Sequence, residues 1–188
     1  MRITQTLVLT FALALSGANA FAQAPAPAPP SDIDKLYARL AQTPFPDEAQ
    51  GIIGEIDALR LQSGSDTADL LMTRARKARE AADPALARQL FDAVVDLDPD
   101  WSEGFGARAG LRFEIGDLNG AMADLAQTLK REPRDIGALA GLGSILLDSG
   151  DPEGALKVYD RALTLAPAFE PVKEARVRAQ NQVWSRSP

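Results

Sequence analysis

Apolar positions follow three different rhythms along this chain. Behind a single arginine, Leu7 to Leu15 is an apolar run interrupted only by Thr10. Gln23 to Ser31 alternates alanine with proline and carries no large apolar side chain. From residue 32 onward, apolar residues recur three to four positions apart, the spacing that lines one face of a helix. The first run is too short to cross a bilayer, and Ala18, Ala20 and Ala22 come after it at the spacing a signal peptidase reads. It predicts a cleavable signal peptide over residues 1–22, cut after Ala20 or Ala22, with no membrane insertion once it is gone. The Ala/Pro stretch predicts an extended, semi-rigid linker over residues 23–31.

The helical rhythm begins with Ser31 and Asp34, spaced as a capping box with Asp in place of Glu, and continues through Ile33, Leu36, Tyr37 and Leu40. TPFPDE breaks this helix, and a second one carries Ala49, Ile52, Ile53, Ile56 and Leu59. Residues 32–65 therefore read as a helical pair, shortened and degenerate compared with the chain downstream of it. At the other end, Val172, Ala175, Ala179 and Val183 share one face with charged or amide residues opposite. Residues 170–188 are thus expected to be a capping helix and tail, with Trp184 ending the cover by ordinary packing.

Between these ends lies a longer period. Pro99, Pro133 and Pro167 stand 34 residues apart, and a fixed period of that size signals stacked repeats. In the frames 68–101, 102–135 and 136–169, small residues align at Ala75, Ala109 and Gly143 and again at Ala87, Ala121 and Ala155. Larger ones align at Leu71, Phe105 and Leu139, at Phe91, Leu125 and Tyr159, and then at Val94, Thr128 and Ala162. Small side chains let two helices approach closely while larger ones fill the flanks. Midway through each frame EAADPA, IGDLNGA and DSGDPEGA place Asp83, Asp117 and Asp151 to cap a second helix. Pro84 and Pro152 then fall at its first position, where no N–H is needed.

This constellation resembles the tetratricopeptide repeat (TPR) family, whose unit is an antiparallel helix pair. The resemblance implies an all-α fold: a right-handed α-solenoid of three repeats within residues 66–169, closed by the C-terminal capping helix. It also disposes of two other motifs. GFGARA (Gly104–Ala109), with Asp124 twenty positions beyond Gly104, matches a dinucleotide-binding fingerprint. In the repeat frame it lies inside a helix, with Phe105 and Ala109 facing inward and no strand before it, so no nucleotide is expected. DLDPD (Asp96–Asp100) begins like a calcium loop but lacks its glycine and closing ligand. It reads as an inter-repeat turn whose acids cap the next helix.

Composition narrows the chemistry. The chain has no cysteine and no histidine, which removes thiolate nucleophiles, Ser-His and Cys-His pairs and the usual zinc sites. Hydrophobic residues make up 46% and aromatics only 6%, consistent with a core of close-packed helices. Net charge is −6, and more negative without the leader, so nucleic acid and anionic membrane are poor partners. Arginine outnumbers lysine fifteen to five, a usage that favours a bacterium of high genomic GC content and hence the periplasm. Arg74 and Arg108 replace a leucine of the repeat, so their stems are expected to pack while the guanidinium reaches solvent or an acid. RARKAR (Arg74–Arg79) reads as a helix surface with i, i+4 pairing.

The resemblance further implies a concave surface lined by the first helix of each repeat, which in this family binds peptide segments or helices. The positions carried over are Asp69, Met72, Thr73, Arg76, Arg79 and Glu80 in the first repeat. The second contributes Glu103, Gly106, Ala107, Gly110, Phe113 and Glu114; the third contributes Gly137, Ala140, Gly141, Ser144, Leu147 and Asp148. The floor of the last two repeats is almost bare, and five acids with two arginines surround it, favouring a ligand with some positive charge. The family's carboxylate clamp is not expected, because Met72, Ala107, Gly137 and Gly141 leave Arg76 as the one cation at those sites. The expectation is a non-enzymatic periplasmic scaffold that binds a segment of an envelope protein, with no cofactor and no metal. The alternative is a self-associating module whose groove is filled by its own N-terminal helices or by a second copy.

Overall fold

The computed structural model describes residues 31–186. The expected signal peptide, the linker up to Pro30 and the last two residues lie outside the described residues. Among those described there are nine helices and no strand: α1 (Asp32–Leu40), α2 (Pro46–Arg60), α3 (Asp66–Glu80), α4 (Pro84–Leu97), α5 (Ser102–Glu114), α6 (Leu118–Arg131), α7 (Ile136–Asp148), α8 (Pro152–Leu165) and α9 (Glu170–Arg186).

The helix starts obey their caps. Asp83, Asp117 and Asp151 accept hydrogen bonds from the amides of Leu86, Gly120 and Gly154 at 3.0, 2.9 and 2.8 Å. Ser31 and Asp34 form the reciprocal capping box of α1. The DLDPD turn differs from its expectation. α5 starts from Trp101 without a side-chain cap, and Asp98 ends α4 instead. Asp100 lies one residue too far upstream to serve as N-cap.

Three hairpins, α3–α4, α5–α6 and α7–α8, stack in order, each second helix lying against the first helix of the next pair. Ala75, Ala87, Ala109, Ala121 and Ala155 are buried at the closest approaches. In the third hairpin the ring opposite is Tyr159, and a Cβ at Gly143 would lie 2.4 Å from its Cε1. Only glycine fits where the other hairpins carry alanine. Arg108 runs inward and its guanidinium donates to Asp92 at 2.8 Å and to both oxygens of Asp124 at 2.8 and 2.9 Å. Asp124, the acid a nucleotide fingerprint would aim at a ribose, is thus consumed inside the hairpin, where Arg112 also pairs with it at 3.0 Å. Arg74 is exposed. RARKAR pairs across helices rather than at i, i+4: Arg76 meets Glu103 at 3.2 Å and Arg79 meets Glu114 at 3.8 Å.

Val172, Ala175 and Ala179 of α9 are buried against the last hairpin. Trp184 does not join them; it is 66% exposed. The N-terminal pair departs most from a continued stack. α2 does not lie along α3 as α4 lies along α5, and Leu59 is exposed. Leu36, Tyr37, Leu40, Ile52 and Ile56 instead share a core with Ile136, Ala166 and Ala168 from the third repeat. Two ion pairs, Asp34–Arg134 at 2.7 Å and Arg60–Asp135, fix this long-range docking.

Candidate functional site

Docking of α1–α2 places the end of α2 beside the first helices of the repeats and bounds a cleft of about 480 Å³. Its floor is made by Gly106 and Gly110 on α5 and Gly137 and Gly141 on α7, with Ala109, Phe113, Leu125, Ala138, Ser144 and Ile145 around them. The floor is open because these helices carry glycine there. A Cβ on Gly141 would come no nearer than 3.5 Å to Leu125, and one on Gly110 would lie 3.4 Å from the end of the Arg79 side chain.

One end of the cleft is ionic, lined by Asp57, Arg60, Arg76, Glu103 and Asp135. Arg60 is 7% exposed at its side chain and donates to the Asp135 carboxylate, while Glu103 lies 3.7 Å and Asp57 3.9 Å away. Asp135 also caps α7, accepting from the Ala138 amide at 2.8 Å. Trp101 ties the same corner by donating its indole N–H to the Arg60 carbonyl at 2.9 Å. Burial opposes the charge on Arg60, but the hydrogen bond and charge of Asp135 outweigh it and hold the guanidinium firmly protonated. Burial pushes the carboxyls of Glu103 and Asp57 upward, with Arg60 and Arg76 pulling the other way. A desolvated carboxylate of this kind gains from an added cation.

Of the groove positions carried over from the repeat pattern, Arg76, Glu103, Gly106, Gly110, Phe113, Gly137, Gly141 and Ser144 converge on this cleft. Met72 and Ala107 do not; both are buried in the core that α3, α4 and α5 share. Ala140 and Leu147 lie among the apolar contacts of α7 with α8 and α9. Those four positions fall on helix flanks turned toward a neighbouring helix. Asp69 is drawn away by Ser63, accepting from its amide and hydroxyl at 3.0 and 2.7 Å. Thr73 donates to the Asp69 carbonyl. Arg79 and Glu114 pair near Gly110, while Glu80 and Asp148 are exposed and do not line the cleft. The lining residues outside the carried-over positions are Ala109, Leu125, Asp135, Ala138 and Ile145 of the repeats, and Asp57, Arg60 and Leu61 of the N-terminal pair. The last three come from α2 and its end, and no periodic signal announces a contact that leaves the period.

A TPR repeat-containing protein of Rhizobium etli is 37% identical over 142 residues, spanning 76% of this chain and 70% of that protein. The chain belongs to the tetratricopeptide repeat family. The tetratricopeptide repeat family model matches residues 107–168, within the second and third repeats. Among solved structures, the first TPR of Spaghetti (RPAP3) bound to an HSP90 peptide superposes with a TM-score of 0.60 at 19% identity, covering 62% of this chain and 93% of that one. The TPR2B domain of yeast Sti1 in complex with an Hsp70 peptide gives 0.60 at 16%, covering 63% and 99%. These likenesses establish the TPR superhelix and, at this identity, nothing finer. TPR domains mediate protein–protein interaction and peptide binding.

Among the described residues, no group of three or more acids is arranged to hold a metal ion. No described helix is long and apolar enough to cross a membrane.

Proposed function

We propose that this TPR chain is a non-enzymatic recognition module, exported to the periplasm, whose cleft holds a helix or extended segment of a cell-envelope protein. The observation that carries this reading is the cleft itself: a glycine floor between apolar walls, ending in a cluster richer in acids than in bases. Glycine at Gly106, Gly110, Gly137 and Gly141 costs roughly 1 kcal/mol per residue of helix stability relative to alanine. In return it leaves room for a ligand backbone to come close. The ligand's apolar face rests on that floor and its cations lie toward Glu103, with Glu114 and Asp148 farther out.

The docked α1–α2 pair bounds one end of the cleft and leaves its volume open, which favours an outside ligand over complete self-filling. A second copy as the occupant is the competing case. Light scattering on the mature chain decides it, since a monomer at micromolar concentration excludes a filled dimer groove.

The test of the groove is selection of binders from a random peptide library, followed by calorimetry against the double variant Gly110→Leu, Gly141→Leu. The selected peptides should combine apolar residues with Lys or Arg. The variant should lose about tenfold or more in affinity, roughly 1.4 kcal/mol, while its circular dichroism stays helical. Affinity that ignores both substitutions would rule out the groove as the binding surface. Export is tested separately by mass spectrometry of the mature protein, which should begin at Phe21 or Gln23; an intact Met1 in the periplasmic fraction contradicts it.

A further inference from the structure

The α1–α2 pair is joined to the array in a way the repeat does not require. Its ionic contacts link residues 75 and 100 positions apart, Arg60 with Asp135 and Asp34 with Arg134. Its connection to α3 is the short stretch 61–65, with Gly64 at φ +83°. The carboxylates that receive Arg60 belong to the array proper: Glu103 stands in the first turn of α5 and Asp135 is the N-cap of α7.

The fit of Arg60 in this seat is incomplete. Its side chain is 7% exposed, yet its buried Nε has no hydrogen-bond partner. Its approach to Glu103, at 3.7 Å, is an ion pair without hydrogen-bond contact. Both carboxylates and Arg60 itself line the cleft. Two carboxylates on separate helices suit the planar, forked guanidinium better than the point charge of an ammonium.

We infer that Glu103 and Asp135 form a guanidinium-binding seat, held in the resting chain by Arg60 and taken by an arginine of the partner segment when the α1–α2 pair swings away. This rests on the reading that the cleft holds a protein segment, and it names the chemistry of that segment: an arginine between apolar residues, as Arg60 stands between Leu59 and Leu61. When the pair opens, Glu103 keeps Arg76 at 3.2 Å, but Asp135 loses the Arg60 guanidinium and is left uncompensated unless another cation takes the seat, which disfavours neutral or acidic segments. The pair is therefore a selectivity gate as well as a wall.

Trp101 supplies the reporter, since its indole N–H is bonded to the Arg60 carbonyl and the chain's one other tryptophan, Trp184, can be removed as Trp184→Phe. In that background the probe is the tripeptide acetyl-Leu-Arg-Leu-amide, with the lysine and citrulline analogues as controls, titrated into the mature chain and into its Arg60→Gln form. Acrylamide quenching of Trp101 and calorimetry are read together. The arginine tripeptide should raise the quenching of Trp101 as it binds. It should bind Arg60→Gln about tenfold more tightly, because the internal competitor is gone; lysine should bind more weakly and citrulline not at all. Equal affinity for both forms, binding without a change at Trp101, or no binding to either overturns the seat.

If Arg60→Gln proves unfolded, hydrogen exchange of the unaltered chain decides. Amides of α1 and α2 must exchange through an opening that leaves α5–α8 protected, and exchange of all these helices as one unit overturns the proposal. Library peptides that bind in a Gly110- and Gly141-dependent way while Trp101 stays silent leave the groove reading standing and remove the seat. A tripeptide that displaces Arg60 while no longer segment binds the floor does the reverse.

Discussion

Ala82 has φ +56°, the left-handed conformation that Gly116 and Gly150 occupy at the equivalent positions of the next two repeats, at +81° and +82°. The turn closes the same way in all three, with the amides of Asp83, Asp117 and Asp151 bonded to the carbonyls of Ala78, Arg112 and Leu146. An alanine there carries a steric cost of roughly 1–2 kcal/mol, against which glycine loses about 0.4–1 kcal/mol through its freer unfolded chain. Ala82→Gly should therefore raise stability by up to about 1.6 kcal/mol, read as a higher urea midpoint. A lowered midpoint would mean that the first hairpin tolerates this turn through a contact at the Ala82 methyl. Single residues also explain the polar group inside the second hairpin. Thr128 is fully buried where the neighbouring repeats carry Val94 and Ala162, and its hydroxyl is satisfied by the Asp124 carbonyl at 3.1 Å.

Among the helices, α3–α8 were legible because their signals are local. An Asp three residues before a free amide, a proline at the first helical position and a 34-residue period each act within a turn or a hairpin; α4, α6 and α8 start where their Asp caps put them, while α5 starts from Trp101 without the cap expected of DLDPD. The docking of α1–α2 was not legible, because it is made by pairs such as Asp34 and Arg134 that sit far apart in the chain and belong to no period. The start of α1 nevertheless carries a titratable trace of it. The hydroxyl of Ser31, then Arg134, hold the Asp34 carboxyl below the ordinary aspartate range. A carboxyl lowered in the folded state contributes stability that is complete above its unfolded value of about 3.9 and is lost as pH falls through the lower folded one. Acid should thus loosen the α1–α2 docking before it unfolds the hairpins. Quenching of Trp101, measured from about pH 5 to about pH 3, should rise in the parent chain and rise less in Asp34→Asn, which begins looser and no longer titrates there. Identical profiles would place the acid sensitivity elsewhere.

Taken together, the hairpins form a stack in which each is completed by the next, α9 covers the open end, and the N-terminal pair crosses to the third repeat. Half of the cleft lining could be read from sequence because the repeat resemblance carries over Arg76, Glu103, Gly106, Gly110, Phe113, Gly137, Gly141 and Ser144. Among the carried-over positions that do not line the cleft, Met72, Ala107, Ala140 and Leu147 are those where a shift of one helical step turns a groove residue into a packing residue. Small or apolar side chains fit both settings, so their type carries no signal. The acidic end was half visible as well: Glu103 was assigned to the groove, but Asp57 and Arg60 come with the N-terminal docking, and Asp135, the N-cap of α7, lies outside the carried-over positions. Occupation of this cleft by a partner segment can be observed residue by residue, by nuclear magnetic resonance of the mature chain titrated with a library-selected peptide. Shifts are expected at the amides of Gly106, Gly110, Gly137 and Gly141 and at the Trp101 indole. Shifts confined to the outer helices α4, α6 and α8, or to α9 around Trp184, would contradict it.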